Sequence, residues 1–187
     1  SNYRNTREIL EAAQELIYGD DDDLLEGIRQ PSFVDVVRAG AAPVFVRSNR
    51  ASHDGAFISQ VREVLGYRTR STDGVAAIVE RRLDADATRS LLDRHDVPHV
   101  DLAVWDGTAT SAVIIGANKS AKGLEFKHVL IPYVAPELTE SEPPADEFEA
   151  ERWQMRRREL YVAMTRARDT LWVGCVDPSA QTVEPSP

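Results

Sequence analysis

Three short segments of this 187-residue chain hold residue types that could meet a phosphate group. One is Glu159-Leu160-Tyr161-Val162-Ala163-Met164-Thr165-Arg166-Ala167-Arg168, where a helical pattern closes on arginine. An arginine in such a place can aim a planar, permanently charged fork at a phosphoryl group in a neighbouring domain. Helix C-termini also collect cations because of their dipole, so Arg166 and Arg168 taken alone would equally be ordinary end residues. A second segment is Lys119-Ser120-Ala121-Lys122-Gly123-Leu124-Glu125-Phe126, and the three lysines of the chain, Lys119, Lys122 and Lys127, all fall within residues 119–127. Small residues and Gly123 let the backbone approach a ligand closely, while the lysines and Glu125 offer charge to phosphate and hydroxyl groups. The same stretch, taken alone, also reads as a solvated connection between two strands. The third segment, Asn2-Tyr3-Arg4-Asn5-Thr6, sets an aromatic ring and an arginine directly before a helix; by itself it also fits a packing pair at a helix entry.

These segments need a frame to position them. Apolar runs rich in β-branched residues predict strands at 43–47, 75–79, 113–117, 129–133 and 170–176. Helical patterns run from Thr6 to Tyr18, ended by Gly19, from Asp54 to Leu65, from Asp84 to His95, and from about Phe148 to Arg166. The two middle helices open on aspartate, which suits an N-cap or a first turn. The last helix sets Trp153, Leu160, Met164 and Ala167 on one stripe, which should face a sheet. Buried strands alternating with helices predict an α/β fold, a mostly parallel sheet flanked by helices. Residues 1–177 are expected to form one domain, 136–147 a loop, and 178–187 a flexible tail.

Composition narrows the function classes. A net charge of −9 argues against a free-standing nucleic-acid binder, since such binding rests on basic residues neutralising phosphates. The acid gathers at 19–23 and from Glu137 to Glu151, both expected to be solvated loops. The one cysteine, Cys175, allows no intrachain disulfide, and no histidine and cysteine spacing suggests a metal site. No stretch approaches the roughly 18 apolar residues of a membrane span, and no signal-peptide layout opens the chain. A cytoplasmic protein with no membrane partner is expected.

Taken together and in this order, the three segments resemble motifs IV, V and VI of superfamily 1 helicases of the UvrD/Rep type. Tyr3-Arg4 corresponds to motif IV, Ala121-Lys122-Gly123-Leu124-Glu125-Phe126 to motif V, and Tyr161-Val162-Ala163-Met164-Thr165-Arg166-Ala167-Arg168 to motif VI, so the resemblance spans Tyr3 to Val176. It implies the second, C-terminal RecA-like domain, of the P-loop NTPase type, of an ATP-dependent DNA helicase or translocase, with single-stranded DNA as a partner. ATP would bind between this domain and an N-terminal RecA-like domain, which would hold most of the Mg2+ coordination. Position by position, the resemblance implies that Tyr3 stacks on the adenine and that Gly123 and Glu125 approach the ribose and phosphate side. Arg4 and Arg166 would be the catalytic pair reaching the γ-phosphate, and they must therefore converge at one edge of the sheet.

The chain also departs from the pattern. Lys119 stands where a histidine is usual and Ala117 where a threonine is, leaving Lys119 and Lys122 as candidate contacts to a nucleic-acid backbone. Arg47-Ser48-Asn49 resembles the strand-end motif that holds single-stranded DNA, yet it lies one strand-helix unit too early. Counting back from Val97-Pro98-His99 puts Glu80 at that arginine position, with Arg82 the best substitute. Met155-Arg156 precede Arg157-Arg158 where an acidic pair is usual. Residues 99–118 leave no room for the large accessory domain of longer relatives. The lysines follow Asn118, Ala121 and Phe126, so no Gly-Lys exists and neither a Walker A nor a Walker B motif is expected. The chain alone should neither hydrolyse ATP nor unwind DNA. A degenerate helicase-like module, binding nucleic acid or protein without ATP coupling, is the alternative that Glu80 and Lys119 motivate; a non-motor α/β domain for another phosphate ligand is a third.

Overall fold

A run such as Val75–Val79 has no polar side to turn to water, so it is stable as a strand only where both faces of its sheet are covered. The computed structural model describes residues 5–18, 40–66 and 74–180; Tyr3, Arg4, the acidic run at 19–23 and the tail from 181 onward lie outside them. Six strands form one sheet: β1 (Val44–Ser48), β2 (Val75–Val79), β3 (His99–Asp101), β4 (Val113–Ala117), β5 (Phe126–Val134) and β6 (Ala167–Val176). The helices are α1 (Arg7–Tyr18), α2 (Arg50–Gly66), α3 (Arg82–Arg94) and α4 (Glu147–Met164). Strand order is β1-β6-β5-β2-β4-β3 and every pairing is parallel, so the expected mostly parallel sheet is wholly so among the described residues.

Side chains alternate between two cores along each buried strand. Ala76, Ile78, Ile114 and Val173 face one way, against Ile9 and Ala13 of α1 and Trp153, Leu160 and Met164 of α4. Val75, Ala77, Val79 and Trp172 face the other, against Phe57 and Val61 of α2 and Leu91 and Leu92 of α3. The period of two along β2 thus gives each core its own set, as a strand with both faces buried requires.

Several boundaries differ from the sequence reading. The α2 helix opens at Arg50 and not at Asp54, because Asn49 Oδ1 accepts from the Ser52 amide at 3.0 Å and caps it. The α3 helix opens at Arg82, leaving Asp84 in its first turn. Ala167, expected on the α4 stripe, instead begins β6, since α4 ends at Met164. The unforeseen β3 is half-buried and has no apolar run; its pairing with β4 makes it a strand. Within 136–147 the chain forms a short 3₁₀ turn, Pro136–Thr139, that buries Leu138.

One glycine is fixed by these contacts. A Cβ on Gly174 would stand 2.3 Å from the Trp172 ring and 2.6 Å from His53 Nε2. With Trp172 2% and His53 0% exposed, neither can swing into solvent. Gly174→Ala should therefore cost about 1–3 kcal/mol of stability, read from the denaturant midpoint; an unchanged midpoint would show slack that these distances exclude.

Candidate nucleotide edge and nucleic-acid edge

Because the strands run one way, the sheet has an N-terminal and a C-terminal edge with different chemistry. At the N-terminal edge, α4 ends and β6 starts through residues 165–167. The Asn5 side-chain amide donates to the Thr165 carbonyl at 2.7 Å and to the Ala167 carbonyl at 2.5 Å. Between them the Phe126 amide donates to the Arg166 carbonyl at 2.9 Å. Carbonyls only accept, so the Asn5 nitrogen must be the atom facing them. Three consecutive carbonyls are thus held by two remote parts of the chain, and Asn5, 7% exposed, does this from 160 and 162 positions away.

Arg166 leaves this turn. Its Nε donates to the Val162 carbonyl at 3.1 Å and one terminal nitrogen to the Leu124 carbonyl at 3.2 Å. The first bond is a helix C-terminal cap, so the ordinary role open to this residue is filled. The second ties it to the loop at 118–125. No carboxylate pairs with Arg166 among the described residues. Gly123 adopts φ +81°, a left-handed turn that favours glycine, and it is exposed together with Glu125. The structure therefore brings together Arg166, Gly123, Glu125 and Asn5, the residue next to Arg4; Tyr3 and Arg4 themselves are outside the described residues.

The 118–125 loop joins the two edges. It starts at the C-terminal edge, where the Asn118 amide donates to the Val79 carbonyl at 3.1 Å, and ends at the Phe126 bond to Arg166. Turns at Ala117 and Ala121 carry it across, and Ala121, 1% exposed, pins it to the core. Lys119 and Lys122 point outward and are exposed. Arg82 is exposed at the start of α3, so Lys119 and Arg82 stand at the same edge, on either side of the β2–β4 pairing.

Most other arginines at this C-terminal edge are already paired. Arg47 Nε lies 2.9 Å from Asp177, Arg81 Nε 3.0 Å from Asp84, and Arg50 Nε 3.5 Å from Asp54. Hydrogen bonds from the Ser179 hydroxyl and amide, then from Arg47, hold the Asp177 carboxyl below its ordinary range. Glu80 is gripped by Arg156, one bond measuring 3.0 Å, and Arg156 also reaches Glu137 at 3.2 Å. The Arg47-Ser48-Asn49 segment is thus spent on an ion pair and a helix cap. Arg156, which the sequence showed only as a departure in local charge, neutralises Glu80.

A second group at this edge had no sequence signal. His53, fully buried on α2, accepts from the Tyr133 amide at Nε2, 3.1 Å away, so its ring proton is on Nδ1, 3.0 Å from Asp54 Oδ1. The Tyr133 hydroxyl donates to the same carboxylate oxygen at 3.2 Å, and Arg50 lies over the Tyr133 ring at 4.7 Å. Tyr133 sits at φ +60° where β5 breaks register, a conformation costing on the order of 1–3 kcal/mol for such a residue. The His53 and Asp54 bonds hold it there. Residues 79 and 80 positions apart offer no spacing by which to find this group.

Comparison with known proteins bears on the same elements. Residues 106–177, which hold the 118–125 loop, α4 and the Arg166 turn, match the family model of the UvrD-like helicase C-terminal domain. Among solved structures, the C-terminal domain of a possible DNA helicase from Lactobacillus plantarun WCFS1 superposes with a TM-score of 0.65 at 20% identity, covering 94% of this chain and 88% of that one. That likeness shows the fold, a RecA-like parallel sheet flanked by helices. No curated protein matches the chain. Among the described residues, no helix is long and apolar enough to cross a membrane.

Burial first, then the charge of Asp54, pushes the Tyr133 hydroxyl up to about 12. The unfolded chain loses that proton from about pH 10 while the folded chain keeps it, so stability falls as pH rises through this window. Denaturant titrations between these limits should show the decline, and Tyr133→Phe should flatten it relative to the wild-type chain; parallel curves would refute the assignment.

Proposed function

We propose that this chain, helicase-like over residues 106–177 and in its fold, is the second motor domain of an ATP-dependent DNA helicase or translocase. In this reading it supplies transition-state arginines to ATP bound against a separate, Walker-bearing RecA-like domain. The observation that carries the reading is the hub at the N-terminal edge, where the segment after Arg4, the end of the 118–125 loop and the Arg166 turn are bonded to one another. Segments that would do chemistry only together are joined here through Asn5, Leu124, Phe126 and the Arg166 turn.

The residues fit half of a nucleotide site. Arg166, held by neutral carbonyls, can exchange them for a phosphoryl oxygen, to which its charged hydrogen bonds are stronger. Arg4 would act beside it and Tyr3 would stack on the base. Gly123 and Glu125 stand on the loop that Arg166 already touches. The other half would be the partner's, since the chain has no Gly-Lys pair with which to cradle phosphates. The bound Mg2+ would neutralise charge on the phosphates, while the arginines meet the charge that develops on the transferring group. Arginines acting across a cleft make turnover depend on its closing, which links chemistry to movement along single-stranded DNA.

The rival reading, a helicase-like module without ATP coupling, is favoured by one observation: Glu80 holds Arg156 at the edge where a strand-end arginine was sought. ATPase assays separate the two. The isolated chain should show no turnover. In the intact motor, single-stranded DNA should stimulate hydrolysis and Arg166→Ala should lower kcat by roughly a thousandfold or more. An Arg166→Ala motor as fast as wild type would remove the finger, and an intact protein inactive with and without DNA would favour the rival. If Lys119 and Arg82 contact phosphates, replacing either with alanine should lower the salt dependence of DNA binding by about one counterion; an unchanged slope excludes the contact.

A further inference from the structure

We propose that Asn5 is a positioning residue that sets Arg166 by clamping the backbone on either side of it. The inference rests on the motor reading for its purpose and on geometry alone for the clamp. The Asn5 amide nitrogen carries two hydrogens, and both are spent, on the carbonyls of Thr165 and Ala167. The residue between those carbonyls is the arginine itself, whose own carbonyl is taken by Phe126. Rotation of the turn about any of its peptide units would therefore break a bond to Asn5 or to Phe126. Nearby structure holds Asn5 in turn: the Leu10 amide donates to the Thr6 carbonyl at 3.2 Å and the Ile9 amide to the Thr6 hydroxyl at 3.4 Å, starting α1 immediately after it.

Asparagine has the chemistry this requires. Serine brings one donor in place of two. Aspartate copies the shape but, when ionised, brings no donor and turns oxygen toward two carbonyl oxygens. A clamp therefore predicts the order Asn5, Asn5→Ser, Asn5→Ala, Asn5→Asp from tightest to loosest, whereas mere filling of space predicts that Asn5→Asp is the mildest change.

The first measurement is amide hydrogen exchange on the 187-residue chain. Protection of the Phe126 amide should fall by about tenfold in Asn5→Ala, as expected for losing bonds that close a local unit, less in Asn5→Ser and more in Asn5→Asp. Amides of β2, remote from the turn, should keep theirs. Should Asn5→Ala unfold the chain, Asn5→Ser carries the same test with one bond kept. The second measurement is ATP turnover by the intact motor, where Asn5→Ala should lower kcat by up to about a hundredfold, the scale of a misplacement near 1 Å. KM for ATP should change little, since the arginines act on the transition state. Unchanged Phe126 protection in Asn5→Ala overturns the clamp, as does Asn5→Asp proving the mildest variant. A loosened turn with undiminished kcat overturns its purpose. Arg166→Ala, run alongside, tells the two failures apart: full turnover there sinks the arginine reading itself, whatever Asn5 does to exchange.

Discussion

The carbonyls of a turn that leaves a helix have no helical amide to bond, and how they are satisfied governs the rest of this structure. Where α4 gives way to β6, the carbonyls of residues 165–167 receive their hydrogens from Asn5 and Phe126. Those donors come from the start of α1 and the start of β5, so a need that water would meet at an ordinary helix end is met by tertiary structure. Buried polar groups cost free energy when unpaired and specify geometry when paired. This set is paired, and the residue whose position it specifies is Arg166.

From that hub the 118–125 loop runs to the opposite edge of the sheet. The loop is pinned at Ala121 and bonded at both ends, to Val79 and to Arg166. The two edges are therefore joined by a short connection outside the sheet. Gly123 makes this path possible by taking a left-handed turn on the exposed side of the loop.

What was legible in the sequence follows from the range of the forces. The strands at 75–79 and 113–117 were read to the residue because their apolar β-branched runs open after the small Gly74 and Ala112 and stop at the polar Glu80 and Asn118, and the Trp153, Leu160 and Met164 stripe because helical period repeats locally. The polar start of β5 and β6 was not legible, since Lys127, His128, Arg168 and Asp169 join the sheet through pairing with each other's strands. In the same way, motif order pointed to Arg166, but nothing in the order revealed Asn5. Its two bonds exist only once residues 160 and 162 positions away have been brought to it. The Glu80 to Arg156 pair and the His53, Asp54 and Tyr133 group are products of the same closure.

The partners of the arginines separate Arg47, Arg81 and Arg156, which build the fold, from Arg166, whose tip can leave its place. At the C-terminal edge, Arg47, Arg81 and Arg156 each face a carboxylate. A nucleic-acid phosphate would have to displace a charge already there, gaining little from the exchange. In a chain of net charge −9, such pairing spends positive charge on structure. Arg166 differs in kind, because its acceptors are the carbonyls of Val162 and Leu124. A carbonyl carries no net charge, whereas a phosphoryl oxygen adds ion-pair attraction and a bidentate fit to the guanidinium's hydrogen bonds, so it displaces a carbonyl where it would not displace a carboxylate. The backbone at and on either side of Arg166 is fastened by three bonds while its side chain is held by two bonds to uncharged acceptors. Fixed origin and exchangeable tip are the two properties that a group must combine to meet a charge appearing only in a transition state.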